Sequence, residues 1–206
     1  MPARANLMST GPSGLVFGHG SAGPVTVRLF QPEPTRIYLA APEYVQWLLA
    51  FRSMCVGAHL SIITSDQRNW LTLVDAVRTC GGTVDLLAGA ENIPGSGRPY
   101  RPSLIIDDAG ELTPQRRLGA WQALVTVASG EAGKSVSDMR NSDLSVIAPL
   151  EGRTGENVRR AYALTPNQVN SSATREDGDV VLASLRRIMK VSMLPGPTEH
   201  RMLFGS

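Results

Sequence analysis

The 206-residue chain is 42% apolar with a formal net charge of +2, enough apolar material for one sizeable core and too little charge to favour nucleic acid or a membrane surface. Its two cysteines, Cys55 and Cys80, exclude a disulfide framework and a cysteine-rich zinc site, and both are expected to be buried free thiols. The longest apolar stretch, Tyr44 to Phe51, is far shorter than the roughly 20 residues a membrane span requires, and Met1-Pro2-Ala3-Arg4 opens no signal-peptide pattern. The chain is therefore expected to be soluble and cytoplasmic. Lysine occurs only at 134 and 190 while arginine is frequent, a bias that points to a GC-rich genome and says nothing of mechanism.

Residues 1–12 are small and polar and are expected to be disordered, with residues 13–206 forming one α/β domain. Leu15-Val16-Phe17 and Val25 to Phe30 read as two strands around a turn at Gly18-His19-Gly20-Ser21-Ala22-Gly23. Alternation of Val25, Val27 and Leu29 with Thr26 and Arg28 suits a half-buried antiparallel strand. A strand-helix rhythm follows. Arg36 to Ala41 reads as a buried strand and Glu43 to Phe51 as an amphipathic helix. Leu60 to Thr64 is the next strand, followed by a helix from Gln67 to about Thr79 that Gly81-Gly82 stops. Val84 to Leu87 is a strand, residues 89–102 are a loop rich in glycine and proline, and Ser103 to Asp108 is a further strand. A helix is expected from Pro114 to about Val127, with Thr113 as its N-cap and Pro114 in its first position. Leu144 to Ala148 closes the parallel set. A short helix begins near Pro166, Asp179 to Leu182 pairs with Ile188 to Met193 as a hairpin, and residues 197–201 read as a strand end and tail.

Short apolar strands spaced by helices imply parallel βαβ units buried on both sides. The expected fold class is therefore α/β: a mainly parallel sheet with helices on both faces, plus N-terminal and C-terminal β-hairpins. Each large side chain so buried contributes roughly 1.5–3 kcal/mol, so Trp47, Phe51 and Trp70 are read as core.

A nucleotide-binding sheet carries a glycine-rich turn after its first core strand, with amides and a helix N-terminus facing the phosphates. Here Ala41-Pro42-Glu43 occupies that turn. Glycine is missing, and Glu43 puts a carboxylate at the positive end of the helix dipole, where a phosphate would meet a like charge. Two other segments retain parts of such a site. Asp107 and Asp108 end an apolar strand, where acids of a phosphate-hydrolysing fold would hold magnesium and place water; a strand end followed by an aspartate turn accounts for them equally. Ala128-Ser129-Gly130-Glu131-Ala132-Gly133-Lys134-Ser135 fits the relaxed phosphate-loop spelling. That motif needs a strand before it and a helix after it, and the expected helix up to Val127 makes it a loop between helix and strand. His19, His59 and His200 have no metal spacing. Arg116-Arg117, Arg159-Arg160 and Arg186-Arg187 lack interleaved aromatics and read as solvated faces. No catalytic residue, metal ligand or cofactor is assigned; Gly133, Lys134 and Ser135 with Asp107 and Asp108 form the alternative nucleotide site.

The order of pieces is similar to the RecA-like motor ATPases of the FtsK, HerA and VirD4 groups. There a phosphate-loop strand comes first, then an acidic strand like Leu104 to Asp108, then a strand like Leu144 to Ala148, then a glycine-acid segment like Asp177-Gly178-Asp179 leading to a terminal hairpin. Ala41-Pro42-Glu43 stands where their Gly-Lys-Thr or Gly-Lys-Ser would be, which puts ATP hydrolysis in doubt. A closer resemblance is to the cytosolic region of the EccE family of actinobacterial type VII secretion components, carried by Ser13 to Gly18, Gly23 to Phe30 and Arg36 to Thr64. The family begins with transmembrane helices that this chain lacks, so the chain is either the soluble portion or a free-standing relative. The resemblance implies a non-catalytic module that binds other secretion-system proteins, without nucleic acid or a span of its own, at most reaching the cytosolic face of the plasma membrane through its partners. A nucleotide-binding enzyme or switch using Gly133-Lys134-Ser135 is the alternative, and a sugar-nucleotide transferase rests only on the acidic pair and the parallel sheet.

Overall fold

Apolar runs of four to six residues, bounded by glycine, proline or aspartate, build the sheet. The computed structural model describes residues 14–113, 116–173 and 176–205. The first hairpin is β1 (Leu15–Gly20) and β2 (Gly23–Val27). The parallel strands are β3 (Thr35–Ala40), β4 (His59–Ile63), β5 (Val84–Leu87), β6 (Ser103–Asp107), β7 (Gln122–Val127) and β8 (Leu144–Ile147). The second hairpin is β9 (Asp179–Ser184) and β10 (Arg187–Ser192). All ten join one sheet in the order β2-β1-β10-β9-β8-β3-β7-β6-β4-β5. Strands β8 to β5 in that order run parallel, and the two hairpins complete the other half antiparallel. This is the α/β sheet with end hairpins that the strand-helix rhythm predicts.

Helices cover both faces. On one, α1 (Glu43–Cys55), α2 (Leu71–Thr79) and α6 (Pro197–Leu203) bury Leu48, Leu49, Val74, Val77 and Leu203 against Ile37, Leu39, Ile62, Ile106 and Val125. On the other, α3 (Ser135–Arg140) and α4 (Gly152–Tyr162) set Met139, Val158 and Tyr162 against Tyr38, Ile147 and Val181. A smaller cluster of Ile63, Ile105, Leu112 and Leu124 lies on that second face, under the loop after β6. The short α5 (Pro166–Ser171) follows, capped by Thr165 and Gln168. Trp70 and Phe51 are core, as expected, while Trp47 is half-buried and stacks on Phe204 with ring centroids 5.8 Å apart.

Five expectations need correction. The helix expected from Pro114 to Val127 is a strand over Gln122–Val127, while Pro114 and Gln115 lie outside the described residues. Val125, Thr126 and Val127 are β-branched, and a strand buried on both faces is a continuous apolar run whose period does not separate it from a helix. Gly18-His19-Gly20 belongs to β1 and not to the turn. A Cβ on Gly18 would stand 2.3 Å from the Ser192 carbonyl oxygen, so close approach of β10 requires glycine there. The tail at residues 197–201 is helical, started by Pro197 with the Glu199 carboxylate accepting the Gly196 amide at 2.7 Å. Helix α4 was not anticipated, although Thr154, Gly155, Val158, Ala161 and Tyr162 recur on one helical face. Cys55 and Cys80 are exposed, because each sits at a helix end and not on the packed face.

Arg52 ties four of these pieces together. Its guanidinium donates to both Glu199 oxygens (2.6 and 2.8 Å), to the Phe17 carbonyl (2.7 Å) and to the Leu194 carbonyl (3.0 Å). Both side chains of the ion pair are less than one-fifth exposed. Burial alone would raise the Glu199 pKa, but Arg52 and the Gly196 amide together hold it below the ordinary value. Removing Arg52 leaves a largely buried carboxylate without its counter-charge and takes a donor from two carbonyls. We expect Arg52→Ala to lose about 3 kcal/mol of unfolding free energy in a urea titration near neutral pH. Because the folded pKa of Glu199 is depressed, its contribution is present above the unfolded pKa and lost as pH falls through the folded one. The wild-type protein should therefore lose this increment on acidification, and Arg52→Ala should lack that step.

Candidate functional site

Strand β3 hands over to α1 on one face of the sheet, while its neighbours β7 and β8 hand over to α3 and α4 on the other. Such a reversal leaves a crevice outside the carboxyl ends of the strands, the place where open α/β sheets take their ligands. At the end of β3, Pro42 is the N-cap of α1 with no side-chain cap, and Glu43 is its exposed first residue. Tyr44 is next along; burial first, then the charges of Asp177 and Asp179, push its pKa up, and the nearby Gly178 backbone counteracts. Asp177 is exposed, whereas Asp179 is buried and accepts from the Lys190 ammonium at 3.3 Å and the Glu176 amide at 3.2 Å. A polyphosphate in this corner would face Glu43 and Asp177.

The second phosphate-loop look-alike lies one strand away, and here the expected context is corrected. Residues 128–134 join strand β7 to helix α3, so the stretch Ala128 to Ser135 has the strand before it and the helix after it that the motif needs. Its interior is nonetheless turned toward the protein. The Ser129 carbonyl accepts from the Tyr38 hydroxyl (2.7 Å) and the Ser135 hydroxyl (2.8 Å), and the Gly130 carbonyl from Asn157 Nδ2 (2.9 Å). Several amides are also engaged: Ala128 with the Leu39 carbonyl, Glu131 with Ser129 Oγ, Ala132 with the Ser129 carbonyl and Ser135 with the Ala132 carbonyl. Gly130 packs so closely that a Cβ there would stand 2.6 Å from the Thr154 methyl. Ser135, the residue whose hydroxyl would meet a magnesium ion, is 0% exposed. Lys134 is exposed, and the described residues give its ammonium no acceptor.

The acidic pair at the end of β6 is likewise engaged by the fold. Asp107 is 0% exposed, and its carboxylate accepts the amides of Glu111 (3.0 Å) and Leu112 (2.8 Å), closing the turn after the strand. One oxygen of Asp108 accepts from Thr64 Oγ1 (2.9 Å) and the Trp70 indole (3.0 Å), pinning the entry to α2. The structure thus places Asp107 and Asp108 at a strand end, as expected, and gives each two protein donors.

Between α3 and the loop after β6, a cavity of about 60 Å³ opens on the sheet face, bordered by Arg36, Tyr38, Leu124, Thr126, Lys134 and Asp138. Ligand pockets usually enclose about 300–1,000 Å³, so this space does not hold a nucleotide. Arg36 closes one side by donating its amide to Asp143 (2.8 Å) and its guanidinium to the Arg116 carbonyl. Tyr38, Asn157 and Thr154, which hold the loop from below, were not singled out from sequence. The signal for Tyr38 is a hydroxyl inside an otherwise apolar strand; Asn157 and Thr154 required recognition of α4.

Burial first raises the Tyr38 pKa, the Ser135 hydrogen bond counteracts and Asp138 adds to the rise. Tyr162 is pushed up to about 12, mainly by burial; its hydroxyl lies 2.5 Å from Ser145 Oγ and donates to the Met139 carbonyl at 3.0 Å. A raised folded pKa contributes stability that is complete below the unfolded value near 10 and lost as pH rises through the folded value. Stability should therefore hold to about pH 9.5 and fall between about 10 and 12. Tyr162→Phe should flatten that fall in a pH series of urea titrations.

By fold, the chain is similar to two solved structures. VirB4 of Thermoanaerobacter pseudethanolicus superposes with a TM-score of 0.61 at 9% identity, over 92% of this chain and 98% of that one. The genome packaging NTPase B204 of Sulfolobus turreted icosahedral virus 2, in complex with AMP, superposes with a TM-score of 0.55 at 9% identity, over 80% of this chain and all of that one. At such identity the likeness is one of fold. No protein-family model and no curated protein matches the chain in sequence.

Proposed function

We propose that this protein is a non-catalytic interaction module, a RecA-like sheet that works by contact with other proteins of a type VII secretion assembly. The observation that carries the reading is the inward-turned loop: the Ser135 hydroxyl is buried and donates to the Ser129 carbonyl, while Glu43 occupies the other strand end. A polyphosphate gains its affinity from amides, a lysine, and a hydroxyl-bound magnesium acting together. In this crevice the hydroxyl and both aspartates have protein partners. The assignment to a secretion assembly, and within it to an EccE-like component of an actinobacterial type VII system, rests on the sequence resemblance of residues 13–200. A similar fold in VirB4 is compatible with it. Among the described residues no helix is long and apolar enough to cross a membrane.

A second reading keeps Gly133, Lys134 and Ser135 as a nucleotide site, with Asp107 or Asp108 on its metal. The strand-then-helix setting of the loop and the exposed, unpartnered Lys134 favour it. Calorimetry with ATP and magnesium separates the two. On the first reading the wild type and Lys134→Ala give the same flat titration, while Ser135→Ala costs about 1 kcal/mol of stability through the lost bond to Ser129. Micromolar binding that disappears in Lys134→Ala would overturn the interaction-module reading. Purification of the tagged chain from an actinobacterial host should recover secretion-system membrane proteins, and their consistent absence would remove the type VII assignment.

A further inference from the structure

At the opposite, amino-terminal edge of the sheet, the loop before β6 builds a second site. Residues 98–101 form a two-residue hairpin in which Arg98 and Arg101 exchange both backbone hydrogen bonds at 3.0 Å. Residues paired this way project their side chains to the same side. Both residues are exposed, and two like charges on directly opposed residues disfavour the pairing unless an anion joins them. Among the described residues neither has an acidic partner; Arg98 donates only to the Tyr100 hydroxyl, at 2.8 Å.

Both arginines border a cavity of about 440 Å³ together with Ser96, Tyr100, His59 and Ser103. Ser103 is 2% exposed, and its Oγ is buried with no hydrogen-bond partner. The hydroxyl of Ser61, on the same sheet face one strand over, is orphaned too. A buried hydroxyl without a partner typically costs about 1–3 kcal/mol, which a ligand atom would recover. His59 is positioned by Thr83 Oγ1 and Asp85 Oδ2, both at 2.9 Å, so the Asp85 carboxylate is engaged by the imidazole.

The loop is fixed independently of any ligand. Gln122 accepts the Gly119 amide and donates to the Pro94 carbonyl, each at 2.6 Å, and the Gly97 amide donates to the Ala120 carbonyl. A Cβ on Gly97 would fall 2.3 Å from the Trp121 carbonyl oxygen, and one on Gly119 would fall 2.2 Å from that of Gly95. Such a shape is prepared before binding, which removes an ordering cost.

We propose that this cavity is an oxyanion site for a phosphoryl group, held by the paired guanidinium groups of Arg98 and Arg101 and by the Ser103 hydroxyl. Guanidinium pairs match the planar edges of a tetrahedral oxyanion, and the buried hydroxyl supplies the neutral donor. Thermal unfolding and ³¹P line broadening, with inorganic phosphate titrated at constant ionic strength against chloride, test the site. Phosphate should raise Tm where chloride does not, and Arg98→Gln or Arg101→Gln should weaken its binding about tenfold. Ser103→Ala should leave the unliganded Tm unchanged or higher, since it removes an orphaned hydroxyl, yet weaken phosphate about fivefold. A Tm gain identical in phosphate and chloride would overturn the site, as would Ser103→Ala lowering the unliganded Tm with phosphate affinity intact. Phenyl phosphate binding at least about tenfold tighter than inorganic phosphate would assign a phosphate monoester as the source, and equal affinity would assign the free ion; both uphold the site.

Discussion

A single carbonyl oxygen sets the character of the carboxyl edge. Ser129 O, at the exit of β7, receives the hydroxyls of Tyr38 and Ser135 and stands within reach of the Ala132 amide. A loop that binds phosphate points its amides outward at the anion and keeps its hydroxyl free for a metal. This loop does the reverse: its carbonyls face buried donors on β3 and α4, and its own hydroxyl bonds back to it. Tyr38, Ser135 and Asn157 are buried, so none of these side chains is freed without leaving a polar atom unpaired, at about 1–3 kcal/mol each. The loop is therefore part of the packed structure and not an empty cradle.

That packing has an electrostatic counterpart. Glu43, Glu131 and Asp177 are exposed at or near the strand ends that would meet a triphosphate, while Asp179 behind them is paired with Lys190. At the other edge of the sheet Arg98 and Arg101 are paired through their backbones and have no acidic partner among the described residues. The anion preference that a nucleotide fold places at its carboxyl edge is reversed along the sheet. Net charge near zero does not report where along the sheet these side chains lie.

The sheet itself was legible in the sequence. Strands β3, β4, β5, β6 and β8 are short apolar runs bounded by turn residues, and α1 and α2 carry a clear helical stripe, so the parallel class followed directly. Strand β7 was not legible, because Ala123 to Val127, apolar but for Thr126, sits between Thr113-Pro114, a good helix start, and the glycines of the next loop. That one misreading also reversed the context of Lys134 and Ser135. Asp107 and Asp108 were placed correctly, but their donors are the Glu111 and Leu112 amides, Thr64 and Trp70, groups brought in by tertiary packing that no local pattern records. The Arg98–Arg101 pair was equally hidden. Sequence reveals two arginines in a glycine-proline loop, whereas their facing arrangement depends on reciprocal backbone bonds and on the close approach of Gly97 to Trp121.

The same facts bear on how far this sheet stands from a working triphosphate site. Exchanging Pro42-Glu43 for glycine and lysine would remove one like charge and open one turn, but the β3 strand end would still lie beside Tyr44 and the acids of the Asp177–Asp179 segment. Freeing Ser135 at the neighbouring loop would require Tyr38 alone to hold the Ser129 carbonyl, and the carboxylates of Asp107 and Asp108 would have to release four donors that close the β6 turn and the start of α2. These bonds involve β3, β6, the residues that follow β4, the turn before α2 and the start of α3, so no single substitution reaches them. The Ser135 hydroxyl and the carboxylates of Asp107 and Asp108 are thus fastening points of the fold, so recruiting them to a metal would be opposed by the bonds they already make, while Lys134 alone has no acceptor among the described residues.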